Sequence, residues 1–330
     1  MTFANIQIQP YSKSLSNAWD EFVGKSVNGT FLIKRTYMDY HADRFDDMSF
    51  LFYEENKLIA ILPACQKDDC LYSHKGLTYG GLIVGLNTST IKVASCFYAL
   101  FVYLKELGMT YLFYKPTPYL YHIAPAMHDI YISHICKAHL FSRSISTAIL
   151  LKSSNSVPSK RANGARKALK NNFRVFESID SIPEIFNLIN FNLMRKYGTS
   201  ACHTCDEMLY LLENNSPDIK AYALADSTDQ VVGGSIMYLT KKVAHLQYMI
   251  VNDEARKLRG QDLMIFHLCN EFSQYFQYFD FGTSSEEDGQ VLNKQLLSQK
   301  EQYNGCPFTY DAYRFNINSS ANVLEKILSE

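Results

Sequence analysis

The sequence has almost no excess charge of either sign. Its 32 Lys and Arg nearly cancel 33 Asp and Glu, which argues against a general nucleic-acid binder, whose affinity draws on a strong basic field. A local basic patch stays compatible with that balance. A long hydrophobic run is also missing. The longest, Val93 to Leu104, is bounded by Lys92 and Lys105 and falls well short of the about 20 residues that a membrane span needs. It reads as a buried helix. Met1 to Pro10 has neither a basic start nor a continuous apolar stretch, so no signal peptide is read there. Cysteine is sparse, with 8 in 330 residues. That excludes a disulfide framework and points to reduced thiols and a cytoplasmic location. No Gly-x-Ser-x-Gly or P-loop pattern occurs, and His122, His128, His134 and His139 lack helical ligand spacing. Cys202-His203-Thr204-Cys205 is half of a zinc site, but Cys65 and Cys70 would have to complete it, and no metal is expected.

What remains is ordinary for a chain with a real core: 47% hydrophobic residues, and a length that favours two domains. Tyrosine (23) and phenylalanine (21) are abundant beside the one tryptophan, Trp19. They suit packing between sheets and helices, and equally the walls of ligand clefts.

The same order of elements is read twice, offset by roughly 170 residues. Helices around Leu15 to Val23 and Thr36 to Arg44 are matched by Pro183 to Tyr197 and Thr204 to Glu213. Alternating apolar runs flank a polar turn at Glu54 to Asn56 in one half and Asp226 to Asp229 in the other, and each reads as a hairpin. Strand, helix and strand follow: Leu77 to Val84, Thr90 to Leu107 and Tyr111 to Tyr114, then Val243 to Val251, Gly260 to Tyr275 and Tyr278 to Phe281. Such a unit implies a crossover and a parallel pair. Between the halves, Ser156 to Asn172 reads as a basic helix with start signals at Ser156 and Pro158. Gly164 inside it costs about 1 kcal/mol relative to Ala, so the helix is expected to lean on something. Its basic residues read either as a solvated face or as a face turned to an anion.

Three segments carry a family resemblance: Leu77-Thr78-Tyr79-Gly80-Gly81-Leu82-Ile83, the basic stretch Arg161 to Lys170, and Phe279-Asp280-Phe281-Gly282 followed by Gly289 and Lys300-Glu301-Gln302-Tyr303-Asn304-Gly305. They resemble the glycine-bearing strand end, the linker helix, and the Asp-Phe-Gly strand end with its Lys-x-x-Phe-Gly turn of the FemAB-like, tandem GNAT-fold acyltransferases. Tyr303 and Asn304 depart from that turn. The resemblance implies an α/β (α+β) chain of two GNAT-like lobes, each a mixed, partly parallel sheet flanked by helices. The lobes would span residues 1–155 and 173–330, joined by the basic helix 156–172, with the active cleft in the second.

The activity so implied is direct transfer of an acyl group from acetyl-CoA or another acyl-CoA to an amine. The acceptor would be an anionic small molecule such as a sugar nucleotide, cell-wall or polysaccharide precursor. Aminoacyl-tRNA as donor is the alternative, and a lobe pair that only binds is a third reading. At the donor site the GNAT phosphate-binding pattern corresponds to Lys257-Leu258-Arg259-Gly260-Gln261-Asp262, and Val251, Arg259, Gly260 and Gln261 would contact the cofactor on a helix N-terminus. Asp262 departs from the pattern, since a carboxylate beside phosphate is unfavourable. Lys300 falls on the family lysine and would stabilise negative charge, while Asp280 would anchor loop amides or orient an amine. Strict alternation places His245, Gln247 and Met249 on one face of their strand and Leu246, Tyr248 and Ile250 on the other. Gln247 and Tyr248 are the candidates for lining the cleft, with His245 a candidate base. Tyr79, Gly80, Ser284 and Lys294 are the candidates for substrate binding.

Overall fold

Both hairpins form where the polar turns interrupt alternating apolar residues. In a computed structural model, which describes residues 6–152 and 157–330, they are Phe50–Glu54 with Lys57–Leu62 and Ile219–Ala225 with Val231–Leu239. Ser156, the expected helix start, and the 155/156 lobe boundary lie outside the described residues. By its contacts the chain divides into two compact units, Met1–Ser144 with Glu286–Val291 and Thr309–Glu330, and Ile145–Ser285 with Leu292–Phe308.

In the first unit the helix Thr90–Glu106 starts on Ser89, whose side chain accepts from the Lys92 amide. It buries Phe97, Leu100, Phe101 and Leu104 against a core that also takes Phe315 and Leu324 from the end of the chain. The expected strand over Leu77 to Val84 is reduced to Ile83–Val84, which pairs with the hairpin. Strand Tyr111–Tyr114 takes its parallel partner from Cys70–Tyr72 instead. The reason is local. Gly81 has φ +75°, the Gly80 amide donates to the Lys115 carbonyl, and the Leu82 amide donates to the Tyr114 hydroxyl. Groups a ladder would need are therefore already bonded. The expected helix over Thr36 to Arg44 is likewise split. His41 Nδ1 bonds the Met38 carbonyl at 2.6 Å, and the segment continues as 3-10 turns over Asp39–Arg44.

In the second unit the strands run Arg174–Glu177, Ile219–Ala225, Val231–Leu239, Val243–Val251, Tyr278–Thr283 and, from Ile145 on, His139–Leu150 in spatial order. Only strands 243–251 and 278–283 are parallel, joined by the crossover helix Gly260–Phe272. Helix Ile182–Tyr197 covers the other face through Ile185 and Ile189, and ends at Gly198 with left-handed backbone. The basic helix Ser159–Lys170 is part of this unit. It packs Ala162, Gly164, Ala165 and Ala168 against helix 260–272 and leaves Lys160, Arg166, Lys167 and Lys170 in solvent. A Cβ on Gly164 would sit 2.1 Å from an Asp262 carboxylate oxygen, so only glycine permits this helix contact. Among the described residues no helix is long and apolar enough to cross a membrane.

Candidate active site

The parallel pair comes apart. Strands 243–251 and 278–283 are in register at Val243–Tyr278, Ala244–Phe279 and His245–Asp280, and both continue beyond that point without further pairing. The first stays with strand 231–239 through a bulge, Leu246 opposite Met237 and Tyr248 opposite Ile236, which leaves Gln247 as the extra residue. The second stays with strand 139–150, its antiparallel neighbour from Tyr278 to Thr283. A cleft of about 230 Å³ opens at the separation, lined by Leu246, Gln247 and Met249 on one side and Phe281 and Thr283 on the other.

The bulge corrects the expected alternation. Leu246 shares the cleft with Gln247 and Met249, whereas Tyr248 and Ile250 pack toward helix 182–197. Tyr248 does not line the cleft. Its ring meets Phe186 and its hydroxyl lies 2.7 Å from His203 Nδ1. His245 also leaves the face of Gln247, because it bonds Asp280, whose neighbours Phe279 and Phe281 point into the core under helix 260–272.

Lys300 closes the floor of the cleft. It lies in the last turn of the helix Lys294–Glu301, is only 7% exposed, and donates from Nζ to the carbonyls of Gly282 at 2.8 Å and Thr283 at 2.7 Å. Burial pulls its pKa down from 10.5 to about 8, opposed by the carboxylate of Asp280. Gly282, at φ +76°, makes a left-handed turn two residues past the last paired position, Asp280. Asp280 is wholly buried. Its Oδ1 accepts from Ser146 Oγ and from the Gly282 amide, both at 2.8 Å, and its Oδ2 lies 2.8 Å from His245 Nδ1.

The cofactor candidates gather at the start of helix 260–272. Gln261 reaches the cleft, and with Val251 it also lines an adjoining groove of about 580 Å³ that carries Arg256, Lys196 and Tyr197. Arg259 stands at the helix N-cap in left-handed backbone, and Gly260 packs against Leu224 and Ala255. Asp262 does not face that groove. It is 3% exposed and turned toward helix 159–170, where Oδ1 accepts from Arg161 at 3.1 Å and from the Tyr303 hydroxyl at 2.5 Å. Two of the departures from the family pattern, Asp262 and Tyr303, are thus hydrogen-bonded to each other, and Asp262 lines neither cavity.

The substrate candidates are not brought to this cleft. Ser284 is 1% exposed, with its amide on the Ile145 carbonyl. Lys294 is exposed and lines neither cavity. In the first unit Tyr79 is buried with its hydroxyl on Thr30 Oγ1, and Gly80 is bonded through both its amide and its carbonyl, the latter to Thr117 Oγ1. Sequence reasoning missed Ser146, Leu296, Gln299 and Ile265, which no motif marks. Ser146 was the recoverable one, because a carboxylate between two core phenylalanines requires buried donors. Cys202 is exposed, and among the described residues no group of three or more His, Cys, Asp or Glu is placed to hold a metal ion.

Comparison with solved structures finds whole-chain likeness at low identity. A structure of FemX superposes with a TM-score of 0.70 at 9% identity, over 98% of this chain and 100% of that one. The structure of L-PGS from Bacillus licheniformis gives 0.58 at 10% identity over 96% of each chain. A tandem GNAT protein from the clavulanic acid biosynthesis pathway gives 0.51 at 9%, over 95% of this chain and 99% of that one. No protein-family model and no curated protein matches the sequence. These likenesses, over nearly the whole chain, show its fold, two GNAT-like lobes in tandem as in FemX and the tandem GNAT protein.

Proposed function

We propose that the second unit is an N-acyltransferase that passes an acyl group from acyl-CoA directly to an amine. The observation that carries the reading is the separated parallel pair with the ammonium of Lys300 buried at its floor. Past His245 this strand no longer pairs with strand 278–283, and the amides of a separated strand edge suit a thioester carbonyl. As the amine attacks, negative charge grows on that oxygen, and preorganised amides with a nearby cation stabilise it where water is excluded. A C–N bond forms, the C–S bond breaks, and the thiolate leaves with the electron pair. No activated nucleophile is needed, because the amine attacks the donor itself.

The donor fits the residues present. Gln261 lies in the first turn of helix 260–272, Arg256 and Lys196 line the adjoining groove, and the Asp262 carboxylate is withdrawn into the interior. An anionic pyrophosphate suits a helix start beside two cations. The acceptor would be the amine of a sugar nucleotide, cell-wall or polysaccharide precursor, met in the cytoplasm. A second reading, aminoacyl-tRNA as donor, is favoured by the full-length likeness to FemX. Lys300 would act there in the same way, on an ester rather than a thioester. Isothermal calorimetry with acetyl-CoA, with desulfo-CoA as control, followed by transfer assays with each donor, tests both. Micromolar binding lost in Gly260→Glu supports the CoA reading. Transfer from charged tRNA alone supports the second, and transfer from neither overturns both.

A further inference from the structure

We infer that His245, held by Asp280, accepts the proton shed by the attacking amine, and that the amine reaches the gap from the face covered by helix 182–197. The inference rests on the acyl-transfer reading and assigns the one step that reading leaves without a residue.

His245 and Asp280 are the last residues in register before the strands separate, so the imidazole stands at the vertex of the gap. It lies on the opposite face from Lys300. The two flank Gly282, whose carbonyl accepts from Lys300 Nζ at 2.8 Å and whose Cα approaches His245 so closely that a Cβ would lie 3.4 Å from its Cε1. A cation thus borders one face of the opening and an imidazole the other. Addition to a carbonyl comes from above or below its plane, so a donor bound from the Lys300 face leaves the His245 face for the incoming nitrogen. An amine that has added to a carbonyl must lose a proton, and an imidazole near the reacting atom is the side chain suited to take it at neutral pH.

The Asp280 carboxylate is built to orient that ring. It is wholly buried, with Oδ1 held by Ser146 and the Gly282 amide and Oδ2 set against Nδ1. The hydrogen bond to Nδ1 directs Nε2 as the acceptor. The step balances: the C–N bond forms, the electron pair leaves on the departing sulfur or oxygen, and the nitrogen's proton goes to Nε2 and on to solvent. Other titratable groups around the ring are Tyr238, opposite it in the register of strand 231–239, Lys300 beyond Gly282, and the Tyr248–His203 pair further along the same face. Asp280 is accordingly a positioning residue.

The test is the pH dependence of transfer by the full chain, with His245→Gln and Asp280→Asn, alongside donor binding by calorimetry. The expected result for His245→Gln is unchanged donor affinity and a fall in kcat of about 10²–10⁴-fold, the range a lost general base gives. Its acid limb should vanish. Asp280→Asn, which keeps the base but loosens its ring, should lower kcat with donor affinity unchanged. A His245→Gln protein that binds donor and turns over with the parental rate and profile overturns the inference while leaving acyl transfer standing. Weak turnover that keeps the parental acid limb reduces His245 to packing, which also overturns it. A parent that transfers from no donor takes down the function reading and this inference together.

Discussion

The two units each carry glycine at a strand end, and they use it in opposite ways. In the first, Gly80 and Gly81 are packed shut: a Cβ on Gly80 would sit 2.5 Å from the Ser73 carbonyl oxygen, and one on Gly81 3.0 Å from Pro116 and the Tyr114 hydroxyl. Their backbone groups hold a loop against strand 111–114, and the strand that would have mirrored the second unit never extends. In the second, Gly282 has open space apart from His245, and its carbonyl holds the buried Lys300 ammonium beside a cleft. A duplicated order of elements therefore yields one closed seam and one opened seam. Which is which depends on where the parallel pairing stops and what side chains wait there.

The largest effect expected from that contrast is at the lysines. Lys300→Met should cut transfer by about 10²–10³-fold, the scale of a lost charge-stabilising donor. Lys115→Met, which removes the lysine of the first unit whose pKa burial also lowers, should leave kcat unchanged. The pH profile sharpens the same point. Because the Lys300 ammonium titrates at about 8, activity should fall as pH rises through that value, and a limb near 10.5 would contradict the assigned charge.

Acid separates the units in stability. Burial lowers the pKa of His74 from 6.5 to about 4, so the folded first unit binds its proton less readily than the unfolded chain does. Stability from this group is complete above about pH 6.5 and declines toward pH 4, by at most about 3 kcal/mol from a shift of this size. Asp129, raised by burial to about 6, acts in the opposite sense. It favours the folded state at low pH and loses that contribution as pH rises through 6. The difference between parent and His74→Asn in denaturant melts at pH 7 and pH 4.5 isolates the histidine. An acid loss that is identical in both proteins would contradict it.

Smaller effects should divide between stability and rate. Gly80→Ala meets backbone and should destabilise by about 1–3 kcal/mol, as overpacking does, with donor affinity untouched. Gly282→Ala meets no backbone and should cost about 1–2 kcal/mol through its left-handed φ, yet lower kcat by displacing the Lys300 carbonyl partner. Tyr303→Phe removes a hydrogen bond from the buried Asp262 and should cost about 1–3 kcal/mol. The same substitution in an Asp262→Ala background should be close to neutral, which a double-mutant cycle of melts would show.

The legible part of this molecule was its order of elements and its closing segment. Strong periodicity marked helices 90–106, 182–197 and 260–272, and a carboxylate between two phenylalanines marked Asp280 as a group with obligatory partners. The illegible part turned on interactions between distant positions. The bulge at Gln247 shifts the phase of one strand and exchanges the faces of Leu246 and His245, and nothing in the alternation announces it. Asp262 read as a fault at a phosphate site because its partners, Arg161 and Tyr303, lie far along the chain in both directions. Tyr79-Gly80-Gly81 read as an open rim because paired glycines serve close packing as readily as ligand approach.

The most direct test of the account is transfer of a labelled acyl group to an amine acceptor, compared between the parent and Lys300→Met at equal donor saturation. The account predicts that the parent transfers and that Lys300→Met, still folded and still binding donor, is slower by about a hundredfold or more. A parent that transfers equally well without the lysine would contradict the assignment of this cleft as the site of the chemistry.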